Sequence, residues 1–152
     1  MSKPEILPMV MSDLLERAVD HCEACERIPG VKFDINNWLV NNPKRKSCSV
    51  CMAGAIMLRE KLVDDVQPGV QHYTSADCNG NFNQLMAINE MRVGNFKGAH
   101  YSVHGRYPIN AEVIHLCRVL RDKVSDHMDE KLGRAPLSVY RECVVELRKL
   151  GL

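Results

Sequence analysis

The chain has 152 residues, 45% of them apolar and 26% charged, with Lys+Arg at 20 against Asp+Glu at 19, the composition of a single globular domain over residues 1–152. A net charge of +1 excludes nucleic-acid binding by bulk electrostatics, and folding at this length buries roughly 70% of the unfolded surface, so neither disulfide staples nor a structural metal is required. The longest apolar run, 50–58, is too short to cross a bilayer, and the N-terminal MSKPEILPMV lacks the apolar stretch of a secretory signal, so a cytoplasmic protein is expected.

The first periodic segment spans about 12–28, where Leu14, Leu15, Ala18, Val19, Cys22 and Cys25 share one side of a helix and Asp13, Glu16, Arg17, Asp20 and Glu23 take the other. Ser12 is the expected N-cap, and Pro29-Gly30 stops the helix. Residues 31–46 hold a short apolar piece around Phe33, Ile35, Trp38 and Leu39, with a single helical turn expected at 34–38, and end in the polar stretch NNPKRKS. A second helix is predicted over about 47–63, on the stripe Cys51, Ala55, Leu58 and Leu62. Pro68-Gly69 and Asn79-Gly80 mark 64–80 as loop.

Asn81 and Gln84 have the spacing of a capping box for a third helix, whose apolar face is Leu85, Ile88 and Met91 and whose stop is Gly94. Gly98, Gly105 and Pro108 make 95–108 a loop, with a short extended piece at 100–103. The clearest helix starts at the N-cap Asn110, with Ile109 and Ile114 as a hydrophobic staple. Its stripe runs through Val113, Cys117, Leu120, Val124, Met128 and Leu132 to Gly133, about 22 residues or near 33 Å. Pro136 opens a last helix carrying Val139, Cys143, Leu147 and Leu150. The expected architecture is all-α, about five helices in a single compact bundle with a long mid-chain loop region.

Seven cysteines are the one compositional anomaly. An odd number in a reducing cytoplasm argues against a disulfide framework. Two CxxC pairs, Cys22/Cys25 and Cys48/Cys51, are separated by residues 26–47, a little more than the usual interval of a four-cysteine zinc site. Thiolates three residues apart can take neighbouring corners of a tetrahedron, so zinc held by Cys22, Cys25, Cys48 and Cys51 is the alternative reading. Against it, metal-binding turns need backbone freedom, whereas Cys22 and Cys25 lie deep in a helical pattern, and reduced cysteine is a common core residue. The core reading is favoured, and with it no cofactor. Cys48 stands apart, because a helix starting at Ser47 or Ser49 would place its thiol in the first turn, behind Lys44, Arg45 and Lys46, where its pKa falls. A thiol redox role ranks third, since no buried strand is expected before it.

Lys44, Arg45 and Lys46 are cations at the positive end of that expected helix, which makes them candidates for contact with an anionic partner, nucleic-acid phosphate included. His100 and His104 form HxxxH, but the glycines at 98 and 105 argue against the helix that i, i+4 ligation needs. Tyr101, Arg106 and Tyr107 lie in the same segment and are the residue types that make interface hot spots. The sequence contains no phosphate loop, no GxSxG and no nucleotide fingerprint, which favours a non-enzymatic role.

Two stretches, Cys48-Ser-Val-Cys51-Met-Ala-Gly-Ala-Ile-Met57 and Leu85-Met-Ala-Ile-Asn-Glu-Met-Arg-Val-Gly94-Asn-Phe-Lys-Gly-Ala99, resemble segments of small uncharacterised proteins of tailed bacteriophages and prophages. In that family a CxVCxAGA helix precedes an ALDxLRxG helix; here Ile88-Asn89 stands where Leu-Asp is usual. The resemblance covers about a sixth of the chain and implies context alone: a phage or prophage accessory protein in a bacterial host's cytoplasm. The leading expectation is accordingly a non-enzymatic protein acting by binding a host or phage protein. A zinc-stabilised module presenting Lys44–Lys46 to nucleic acid is the alternative, and the long helix after Asn110 would suit a homodimer.

Overall fold

A computed structural model describes the backbone of residues 6–27, 31–33, 39–42, 47–50, 52 and 80–152, and the side chains of 6–27, 52 and 80–152. Five helices carry the described fold: α1 (Met11–Glu26), α2 (Phe82–Arg92), α3 (Phe96–His104), α4 (Ala111–Asp126) and α5 (Leu137–Lys149). The expected helical class holds. A small three-stranded sheet adds to it: β1 (Val31–Phe33), β2 (Leu39–Asn42) and β3 (Ser47–Val50), with β3 central, parallel to β1 and antiparallel to β2.

β3 corrects the helix expected from Ser47. Its four residues are extended, pairing Cys48 with Val31 on one side and Asn41 on the other, and among residues 51–63 only Met52 is described, as helical and buried. The β-branched Val50 suits a pleated backbone, and pairing on both sides satisfies the backbone of the segment as a central strand. The helical turn expected at 34–38 and the loop at 64–79 lie outside the described residues.

α1 starts one residue earlier than Ser12. Val10, in extended conformation, precedes it and provides no side-chain cap, while Ser12 is buried and its N–H donates to the Leu152 carbonyl at 3.0 Å. α1 and α5 pack together and run antiparallel, as their ion pairs show: Arg141 meets Asp20 and Glu23, and Arg148 meets Asp13 and Glu16. The apolar edge of each helix, Leu14, Leu15, Ala18, Val19, Cys22 and Cys25 against Val139, Cys143, Val144 and Leu147, turns inward. α2 lies against α1 and forms a tight pair with α3, and α4 closes the bundle against α3 and α5. The buried residues form one cluster in which Leu85, Ile88, Met91, Phe96, Leu120 and Val124 continue the same interior.

The capping box expected at Asn81 and Gln84 is not made. Asn81 Oδ1 accepts from Leu7 N–H at 2.7 Å and Gln84 Nε2 donates to the Leu7 carbonyl at 3.2 Å, so both side chains clamp the N-terminal segment onto α2. Gly94 does stop α2, with φ +85°.

The expected loop at 95–108 and its extended piece at 100–103 are corrected by α3. Asn95 caps it, its Oδ1 accepting from Gly98 N–H at 3.0 Å, and a Cβ at Gly98 would lie 2.5 Å from Asn95 Nδ2. Gly98 is therefore the space that lets the cap form, and Gly105, at φ +75°, is the left-handed residue that ends the helix.

α4 is capped by Asn110, whose Oδ1 accepts from the N–H groups of Glu112 at 2.9 Å and Val113 at 3.3 Å. It has 16 residues, shorter than expected. The chain leaves the helix at His127; Asp129 then accepts from the N–H groups of Lys131 and Leu132, and Gly133 turns with φ +64°. Ile109 is 85% exposed and makes no staple. Among the described residues no helix is long and apolar enough to cross a membrane.

Candidate interaction site

The residues singled out by sequence separate into three groups. Cys22 and Cys25 are fully buried in α1, as core residues would be. Cys48 lies in β3 rather than in the first turn of a helix, and Cys51, Lys44, Arg45 and Lys46 lie outside the described residues. Among the described residues no group of three or more His, Cys, Asp or Glu is placed to hold a metal ion. In α4 and α5, burial raises the Cys117 thiol and pushes Cys143 up to about 12, which disfavours the thiolate at both.

Tyr101, Arg106 and Tyr107, by contrast, are brought together by the end of α3. Gly105 reverses the chain in a left-handed turn, and the ring of His100 clamps it, with Nδ1 2.7 Å from the Arg106 carbonyl. The reversal brings Tyr107 against Tyr101, ring centroids 4.9 Å apart and planes inclined by 32°, a tilted aromatic contact within the favourable distance range. Both rings remain in solvent, at 51% and 60% exposure, and Arg106, next to Tyr107 in the chain, is exposed as well.

The pair forms one wall of a groove of about 470 Å³. Phe82 and Met86, one turn apart on α2, form the other, and Met9 of the N-terminal segment closes an end. The polar rim is fixed: Glu90 Oε2 accepts from Asn95 Nδ2 at 2.7 Å, which holds the side chain that also caps α3. Cap, turn and groove wall are thus parts of one hydrogen-bonded unit. Sequence reading missed Met9, Phe82 and Met86. Phe82, Met86 and Glu90 follow one another at i, i+4 and i+8, a second stripe on α2 beside the buried Leu85, Ile88 and Met91, and that spacing was the available signal.

The two histidines of HxxxH are also placed differently from expectation. With α3 formed, His100 and His104 share a face, ring centroids 4.3 Å apart. Partial desolvation, then the neighbouring His100 and Arg106, hold the His104 imidazole below its ordinary pKa.

No protein-family profile matches the chain, and neither a curated protein nor a solved structure shows significant similarity to it.

Proposed function

We propose that this protein acts without catalysing a reaction, as an accessory protein of the phage or prophage type in the bacterial cytoplasm, by holding a protein partner in the groove beside Tyr101 and Tyr107. The observation that carries this reading is the exposed tyrosine pair on a braced turn at the mouth of that groove. Rigid aromatics exposed before binding lose little side-chain entropy on association, which is why Tyr and Arg dominate binding hot spots. Exposed Met9 and the half-buried Phe82 and Met86 supply apolar area that a partner's apolar side chain would remove from water. The phage-type context comes from the Cys48–Met57 and Leu85–Ala99 stretches.

A photo-cross-linking amino acid placed at Tyr107 in bacterial cells tests this. A discrete cross-linked protein is expected at 107, lost when Tyr101→Ser is added, and not seen from Arg118 or Val145, which are exposed on α4 and α5. No specific product at 107, or the same products at 118 and 145, would contradict it.

A further inference from the structure

We infer that His100 and His104 form a two-point site for a borderline divalent transition metal ion on the last turn of α3. The site goes beyond partner docking, since it needs no second protein.

Three observations converge on it. The residues are four apart on a formed helix, so both rings project from one face, and their centroids are 4.3 Å apart. Two imidazole nitrogens bound to one ion at about 2.0–2.1 Å each lie about 3 Å from one another, a separation the exposed His104 ring can reach by rotating toward the fixed His100 ring. Second, His100 is already oriented as a ligand. A backbone carbonyl only accepts, so the 2.7 Å contact with Arg106 places the proton on Nδ1 and leaves Nε2 with its lone pair free of that hydrogen. This is the outer-sphere hydrogen bond that metal-bound histidines usually have. At 8% exposure the His100 ring is held in that pose. Third, His104 is exposed at the helix end, where an ion can reach it.

Imidazole selects Zn, Cu and Ni over the hard cations Mg and Ca. Two protein ligands leave the remaining coordination positions to water. The charge of Arg106, close enough to act on His104, opposes a cation and limits affinity. A bound ion would tie the last turn of α3 across the segment leading to Gly105, and so brace the reversal that brings Tyr107 against Tyr101.

The test uses Ni²⁺ alone, which favours imidazole over the buried thiols and broadens nearby NMR signals. Titration of the whole chain is expected to saturate at one ion, broaden first the His100 and His104 ring signals, and raise Tm. His104→Gln, at an exposed position, keeps the fold by circular dichroism and should bind at least about tenfold more weakly, with the Tm rise lost. His115→Gln and His127→Gln, on and just after α4, should bind as the unaltered protein does. Equal affinity in His104→Gln, or broadening that starts at the other histidines or at the cysteines, would overturn the assignment.

Discussion

Tyr140 joins three parts of the chain through one hydroxyl, which accepts from the Ala135 N–H at 3.0 Å and donates to the Arg92 carbonyl at 2.6 Å. The ring is fully buried, and burial pushes the phenol up to about 12. Tyr140→Phe keeps the ring but leaves a buried N–H and a carbonyl without their partner, so it should cost about 1–3 kcal/mol in urea denaturation. Gly98 is the second decisive position. Gly98→Ala forces a Cβ into the Asn95 amide, breaking both the α3 cap and its link to Glu90. The loss expected is about 1 kcal/mol, the scale of an N-cap, whereas alanine elsewhere in a helix interior stabilises relative to glycine. A gain in stability on Gly98→Ala would show that the cap is not what orders α3. The same residue explains why α3 was hidden from sequence reading: a glycine that makes room for a cap and a glycine in a loop look alike until the capping asparagine three residues earlier is paired with it.

At the scale of elements, the α1–α5 pair is held by an apolar seam flanked by an arginine ladder. Arg134, Arg141 and Arg148 recur every seven residues and meet Glu26, then Asp20 and Glu23, then Asp13 and Glu16, as the two helices pass in opposite directions. Arg148 pairs with both oxygens of Glu16, at 2.9 and 3.1 Å. The rungs differ in weight. Arg141 and its two carboxylate partners are about half exposed, and Arg141→Gln should cost about 1 kcal/mol or less. Arg134 is 3% exposed, 2.6 Å from a Glu26 that is 47% exposed, with Nη1 also donating to the Ala135 carbonyl; Arg134→Gln should cost about 1–2 kcal/mol, between an open surface pair and a fully buried one.

The ladder also gives a pH signature. The Arg148 hydrogen bond holds Glu16 below its ordinary value of 4.5, so the stabilisation is complete above the unfolded value and disappears as pH falls through the lower folded one. Tm should therefore drop below about pH 4.5, and that acid-side drop should be smaller in Arg148→Gln. The seam itself was legible in the sequence, because Leu14, Ala18, Cys22 and Cys25 and then Val139, Cys143 and Leu147 hold helical period over many turns. The ladder was not, since the partners of 134, 141 and 148 lie more than a hundred residues earlier. The sheet was missed for the opposite reason: strands of three and four residues contain too few positions to display alternation.

At the scale of the whole molecule, the five described helices enclose one interior and leave one aromatic groove on the surface that α2, α3 and the N-terminal segment build together. Tyr101, Arg106 and Tyr107 could be selected from sequence by residue type. Met9 could not, because it reaches the groove only after Asn81 and Gln84 fasten the neighbouring Leu7 to α2. That long-range clamp is what makes the groove a preformed surface. Asn81→Ala should consequently loosen the Met9 end, seen as faster amide exchange over residues 6–10 with α4 and α5 unchanged. The most direct measurement is the affinity of the protein cross-linked from position 107 for the unaltered chain and for Tyr101→Ser. Truncating a hot-spot aromatic should weaken binding by about thirtyfold, equivalent to about 2 kcal/mol, with Tm unchanged; equal affinity for the two chains would contradict binding through the tyrosine groove.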